Sequence, residues 1–104
     1  MPASTRVASL SDIPADGKLV VEVEGRSIAL FSVDGTVYAL DDVCTHDGGP
    51  LAEGRLEGCV IECPRHGAKF DVRTGRAVGF PAFEAVPPHD VVVRDGSIYV
   101  TLND

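Results

Sequence analysis

A chain of 104 residues has room for one domain around one modest hydrophobic core, because domains of roughly 100 to 150 residues are the commonest size. Hydrophobic residues make up 44% and charged residues 24%, proportions of an ordinary globular protein that exclude disordered, collagen-like and coiled-coil chains. Nine basic residues against sixteen acidic ones give a formal charge of −7, which excludes a nucleic-acid-binding surface, since phosphates require a basic footprint. The three cysteines, Cys44, Cys59 and Cys63, are too few for a disulfide scaffold and cannot all pair within one chain. The start of the chain, MPASTRVASLSD, has no twin arginine and no apolar run of signal-peptide length. No stretch approaches the roughly 20 apolar residues of a membrane span. The expectation is a cytoplasmic protein that binds neither nucleic acid nor membrane.

In chain order, residues 5–8 read as a short strand, followed by a single helical turn near Ser11 to Ile13. Residues 18–24 alternate with period two, Leu19, Val21 and Val23 on one face against Glu22 and Glu24 on the other, as a half-buried strand requires. Strands 26–32 and 36–40 follow, the second after a hairpin turn at Asp34-Gly35. Residues 57–62 and 68–71 read as two more strands, and 90–94 pairs with 97–102 around Asp95-Gly96. Asp-Gly and Glu-Gly dipeptides punctuate the whole chain, and such pairs favour tight turns. No segment offers a capped, 3.6-periodic run of ten residues, so the fold class is all-β, in a single domain spanning 1–104.

Two loops, about 44–54 and 63–67, break the strand pattern with different chemistry. The first reads Cys44-Thr45-His46-Asp47-Gly48-Gly49-Pro50-Leu51 and the second Cys63-Pro64-Arg65-His66-Gly67. Together they spell C-x-H-x16-C-x-x-H, one thiol and one imidazole from each loop. Zinc accepts Cys₂His₂, but its sites usually pair cysteines two to four residues apart, whereas the first spacer here is one residue. A nucleophilic Cys–His pair would use one loop and leave the other idle.

These two boxes, Cys-Thr-His and Cys-Pro-x-His-Gly, resemble the signature of the Rieske iron–sulfur family, and the resemblance extends over the whole chain, most of all to the small ferredoxins that serve bacterial oxygenases. It implies antiparallel sheets with two projecting loops that grip one [2Fe–2S] cluster, Cys44 and Cys63 on one iron and His46 and His66 on the other. It also implies a one-electron carrier and not an enzyme, taking electrons from a flavin-dependent NAD(P)H reductase and passing them to a terminal oxygenase of the ring-hydroxylating kind, as a monomer. A fixed small subunit of a nitrite-reductase-like complex, or a ferredoxin of iron–sulfur assembly, is the alternative. Two thiolates and two neutral imidazoles leave the oxidised core uncharged, where four thiolates leave it at −2, so an electron is accepted more easily and the class spans about −150 to +300 mV.

High-potential members of the family carry a disulfide between the loops and two hydroxyl donors beside the second; here those positions are Gly49 and Arg65, and Ala68 and Phe70. The missing donors imply a potential near the low end, about −150 mV. Gly48, Gly49 and Gly67 are expected to let backbone N–H groups approach the cluster without a Cβ clash, while Pro50 and Pro64 stiffen the loops. Cys59 is expected as a small buried residue in its strand, His89 as a solvated side chain in a surface turn after Pro87-Pro88, and Arg65 either solvated or facing a partner carboxylate. The acidic residues near the loops, Asp41, Asp42, Asp47, Glu53, Glu57 and Glu62, form a solubilising surface or steer a basic redox partner.

Overall fold

The computed structural model describes residues 4–43, 50–64, 67–80 and 84–103. Ten strands appear in chain order: β1 (Thr5–Ser9), β2 (Lys18–Val23), β3 (Arg26–Val33), β4 (Thr36–Asp41), β5 (Arg55–Glu57), β6 (Val60–Glu62), β7 (Lys69–Asp71), β8 (Ala77–Gly79), β9 (Pro88–Arg94) and β10 (Ser97–Thr101). The only other regular elements among the described residues are 3₁₀ turns at Leu10–Asp12 and Leu51–Glu53, the first where a single helical turn is expected.

One sheet has six strands in the order β1-β10-β9-β4-β3-β2 and the other four in the order β5-β6-β7-β8, every pairing antiparallel. The hairpins of the large sheet turn at Glu24-Gly25, Asp34-Gly35 and Asp95-Gly96, with both residues of each pair at positive φ, the two-residue geometry whose twist matches that of the strands. Strand β9 begins beside β4, with Ala39 opposite His89, and then swings across to pair with β10 from Asp90 onward.

Strand β3 is the wall between two cores. Its apolar run Ile28-Ala29-Leu30-Phe31 is fully buried on both faces, the pattern of a strand with protein on either side rather than water on one. Ile28 and Leu30 join Val23, Val37, Ile98 and Val100 in the core of the large sheet. Ala29 and Phe31 face the small sheet and pack with Leu40, Leu51, Ile61, Cys63, Ala68 and Phe70. Each of these large side chains contributes roughly 1.5 to 3 kcal/mol by leaving water, so the second core welds the small sheet onto the large one.

The expected strand 57–62 is a hairpin and not a strand. Gly58 has φ +59, and Gly58-Cys59 form the turn between β5 and β6. The three-residue strands β5 and β8 are additions to the expected set. The small sheet still obeys period two: Leu56, Ile61, Phe70 and Ala77 point to the core, and Arg55, Glu57, Val60, Glu62, Lys69 and Val78 line the outer face.

Candidate metal centre

The second loop springs from the end of β6. Cys63 is 2% exposed, donates its backbone N–H to Ala68 O (2.6 Å) and accepts from Gly67 N–H (3.2 Å), which pins both ends of a turn five residues long. Pro64 is exposed in the second position of that turn, where its fixed φ suits the geometry. Gly67 has φ +75, a left-handed conformation that costs a residue with a Cβ about 1 to 2 kcal/mol. Its N–H is engaged by Cys63, and a Cβ there would meet only the Glu62 carboxylate at 3.9 Å among described atoms. The left-handed backbone conformation is one reason for glycine at this position.

The first loop leaves at the end of β4 and returns through Pro50 into the 3₁₀ turn Leu51–Glu53. Val43, the residue before Cys44, packs against the same core cluster that holds Cys63 and Leu51. The two loops are thus rooted side by side. Gly54 shows how tightly: a Cβ added there would lie 1.8 Å from Glu62 O, the carbonyl preceding Cys63. Nothing in the local sequence signals this crossing. Cys44, His46, Gly48, Gly49, Asp47, Arg65 and His66 lie outside the described residues, so of the expected ligands the structure places Cys63.

Three expectations about neighbouring residues change. His89 is not solvated: its side chain is 0% exposed, because the start of β9 lies inside the sheet against β4. Its Nδ1 accepts the Asn103 backbone N–H (2.9 Å), which puts the ring proton on Nε2, where it is donated to Asp41 Oδ1 at 2.7 Å. Cys59 is half-buried in the β5–β6 turn, not in a strand, and packs against the second core. The acidic belt is partly paired within the chain. Asp41 also receives Arg26 Nη2 on both oxygens (3.0 and 3.2 Å), Asp42 accepts the Ala52 N–H, Glu62 faces Lys69 at 3.9 Å, and Glu57 is paired with Arg55. At the end of the small sheet remote from the loops, hydrogen bonds from the Arg73 side chain hold the Asp71 carboxyl below its ordinary range against an opposing contribution from burial, and raise the guanidinium in turn.

The Rieske [2Fe-2S] domain family matches residues 3–101. The chain belongs to the Rieske [2Fe–2S] family. A ferredoxin subunit of 3-phenylpropionate/cinnamic acid dioxygenase from Photorhabdus laumondii is 40% identical over 99 residues, 94% of this chain and 93% of that one. The ferredoxin of carbazole 1,9a-dioxygenase from Nocardioides aromaticivorans superposes with a TM-score of 0.92 at 31% identity, covering 97% of this chain and 99% of that one. A chain of the complex of reduced oxygenase and oxidised ferredoxin in carbazole 1,9a-dioxygenase gives 0.89 at 34% identity, covering 97% and 94%. This Rieske protein is accordingly an electron carrier with one [2Fe–2S] cluster and not a catalyst of bond-making chemistry. No helix among its described residues is long and apolar enough to cross a membrane.

The residues present fit that cluster. The buried, hydrogen-bonded turn at Cys63 fixes one thiol, Val43 brings the chain into the same core one residue before a second, and each loop sequence adds an imidazole. Ala68 and Phe70, both fully buried in the core that contains Cys63, offer no hydroxyl to a cluster sulfur.

Proposed function

We propose that Cys44 and Cys63 bind one iron, His46 and His66 the other, and that the chain, one domain over 1–104, is a monomeric cytoplasmic shuttle between a flavin-dependent NAD(P)H reductase and a ring-hydroxylating terminal oxygenase. The bound cluster supplies a site that takes up and releases one electron. The protein's own residues hold that site still: Gly67 and Pro64 shape the second loop, Gly48 and Gly49 would let backbone N–H groups of the first approach the cluster, and the shared core keeps the two loop roots together. Rigid roots favour fast transfer because little rearranges when the charge changes.

The observation that carries this reading is the match to oxygenase ferredoxins along nearly the full length of both chains. Gel filtration of native extract, followed at the cluster's visible absorbance, tests it. The expected result is a coloured species running at the size of this chain alone; co-elution with a large protein would replace the shuttle by a fixed subunit.

A further inference from the structure

The first loop carries two of the ligands proposed above and has no covalent tie to the second, since Gly49 and Arg65 stand where other family members have a disulfide. A side chain ties its two described ends together. Asp42 sits two residues before Cys44, and its Oδ1 accepts the backbone N–H of Ala52 at 2.8 Å, so one carboxylate spans the two ends of the 44–50 segment. Its own N–H is donated to Ser27 O at 3.1 Å, tying it to β3.

Behind Asp42 the chain is anchored again. Asp41 donates its N–H to Pro87 O (3.1 Å) and accepts Val43 N–H on its carbonyl (2.8 Å), while its carboxylate takes Arg26 from one side and His89 from the other. His89 in turn is oriented by the Asn103 N–H. The Asp41-Asp42 dipeptide is thus held by β3, the start of β9 and the end of the chain, and extends an acceptor to the returning limb of the loop. On that limb Leu51 is fully buried, so Ala52 N is presented from a fixed base.

We propose that Asp42 is a positioning residue for the cluster: a non-covalent clamp that fixes the spread of the first loop and with it the geometry of the Cys44 and His46 ligands. The proposal rests on the ligand assignment above. A carboxylate does here what the disulfide does elsewhere, through an acceptor oxygen and not through its charge, so asparagine, which keeps Oδ1, should replace it and alanine should not.

The test uses the loaded protein. Wild type, Asp42→Asn, Asp42→Ala and, as a control destabilised elsewhere, Gly35→Ala in the distant β3–β4 hairpin are compared for the rate at which a chelator bleaches the visible chromophore, at equal distance below each unfolding midpoint. Removing a hydrogen bond at the mouth should speed bleaching about tenfold in Asp42→Ala and broaden its EPR lines, while Asp42→Asn stays within about twofold of wild type and Gly35→Ala does not differ. Should Asp42→Ala accumulate no chromophore, a coloured Asp42→Asn is the rescue expected. Bleaching of Asp42→Ala no faster than wild type, or equal loss in both Asp42 variants, overturns the clamp. A colourless wild type would instead overturn the ligand assignment.

Discussion

Replacing Gly54 by alanine should damage the roots of the two loops severely. The new Cβ would lie 1.8 Å from Glu62 O, 2.8 Å from its carbonyl carbon and 3.2 Å from Leu51 O. Ordinary contact begins near 3.4 Å, so β5 and β6 must part by roughly 1.5 Å, more than a close-packed interior yields. Parting them breaks the Gly54 N–H bond to Leu51 O and the Arg55–Glu62 step of the β5–β6 ladder. It also disturbs the contact of Lys18 Nζ with Gly54 O. Two or three hydrogen bonds at about 1 kcal/mol each, with overpacking of about 1 to 3 kcal/mol, total about 3 to 6 kcal/mol, a large part of a small domain's typical stability. Gly35→Ala is the matched control, since a Cβ there meets nothing within 4 Å and only its φ of +83 is unfavourable, at about 1 to 2 kcal/mol. Denaturant unfolding of the loaded proteins, followed by circular dichroism and by visible absorbance, measures both. A Gly54→Ala loss no greater than that of Gly35→Ala would refute the argument that the two loop roots are locked by backbone contact.

Two further substitutions probe the surroundings of the centre. Ala68→Ser with Phe70→Tyr should raise the midpoint potential by voltammetry, by about 40 mV for each hydroxyl that bonds sulfur about 1 kcal/mol more strongly in the reduced state, because 59 mV is tenfold for one electron; an unchanged potential would mean that missing hydroxyls do not set it. His89→Leu removes the donor to Asp41 and the acceptor of the Asn103 N–H and should cost about 2 to 4 kcal/mol of unfolding free energy; a loss below about 1 kcal/mol would show the buried ring to be dispensable.

Much of this architecture is legible in the residues. The alternation in Leu19, Val21 and Val23, the turn dipeptides at Asp34-Gly35 and Asp95-Gly96, and the two Cys-His boxes locate the large sheet and the loops, because each is a local pattern with a local cause. What is not legible depends on distant partners. The run 57–62 reads as one strand because its β-branched residues outweigh Gly58, yet that glycine's positive φ makes it a hairpin. Strands β5 and β8 are three residues long, too short for alternation to show. Pro87-Pro88-His89 looks like a surface turn, but the ring is buried because Asp41, 48 residues away, and the end of the chain satisfy both of its nitrogens. Gly54 is marked only as half of a turn dipeptide, Glu53-Gly54, since the reason no side chain fits there is a carbonyl on another strand.

The ligand set itself is tested most directly by the spectra of the purified protein, oxidised and then reduced with dithionite, with histidine nitrogens labelled for hyperfine measurement. The account predicts a red-brown protein that takes up one electron per chain and shows an EPR signal coupled to two histidine nitrogens, lost in Cys63→Ser. A colourless protein containing zinc, or a cluster with no nitrogen coupling, would contradict it.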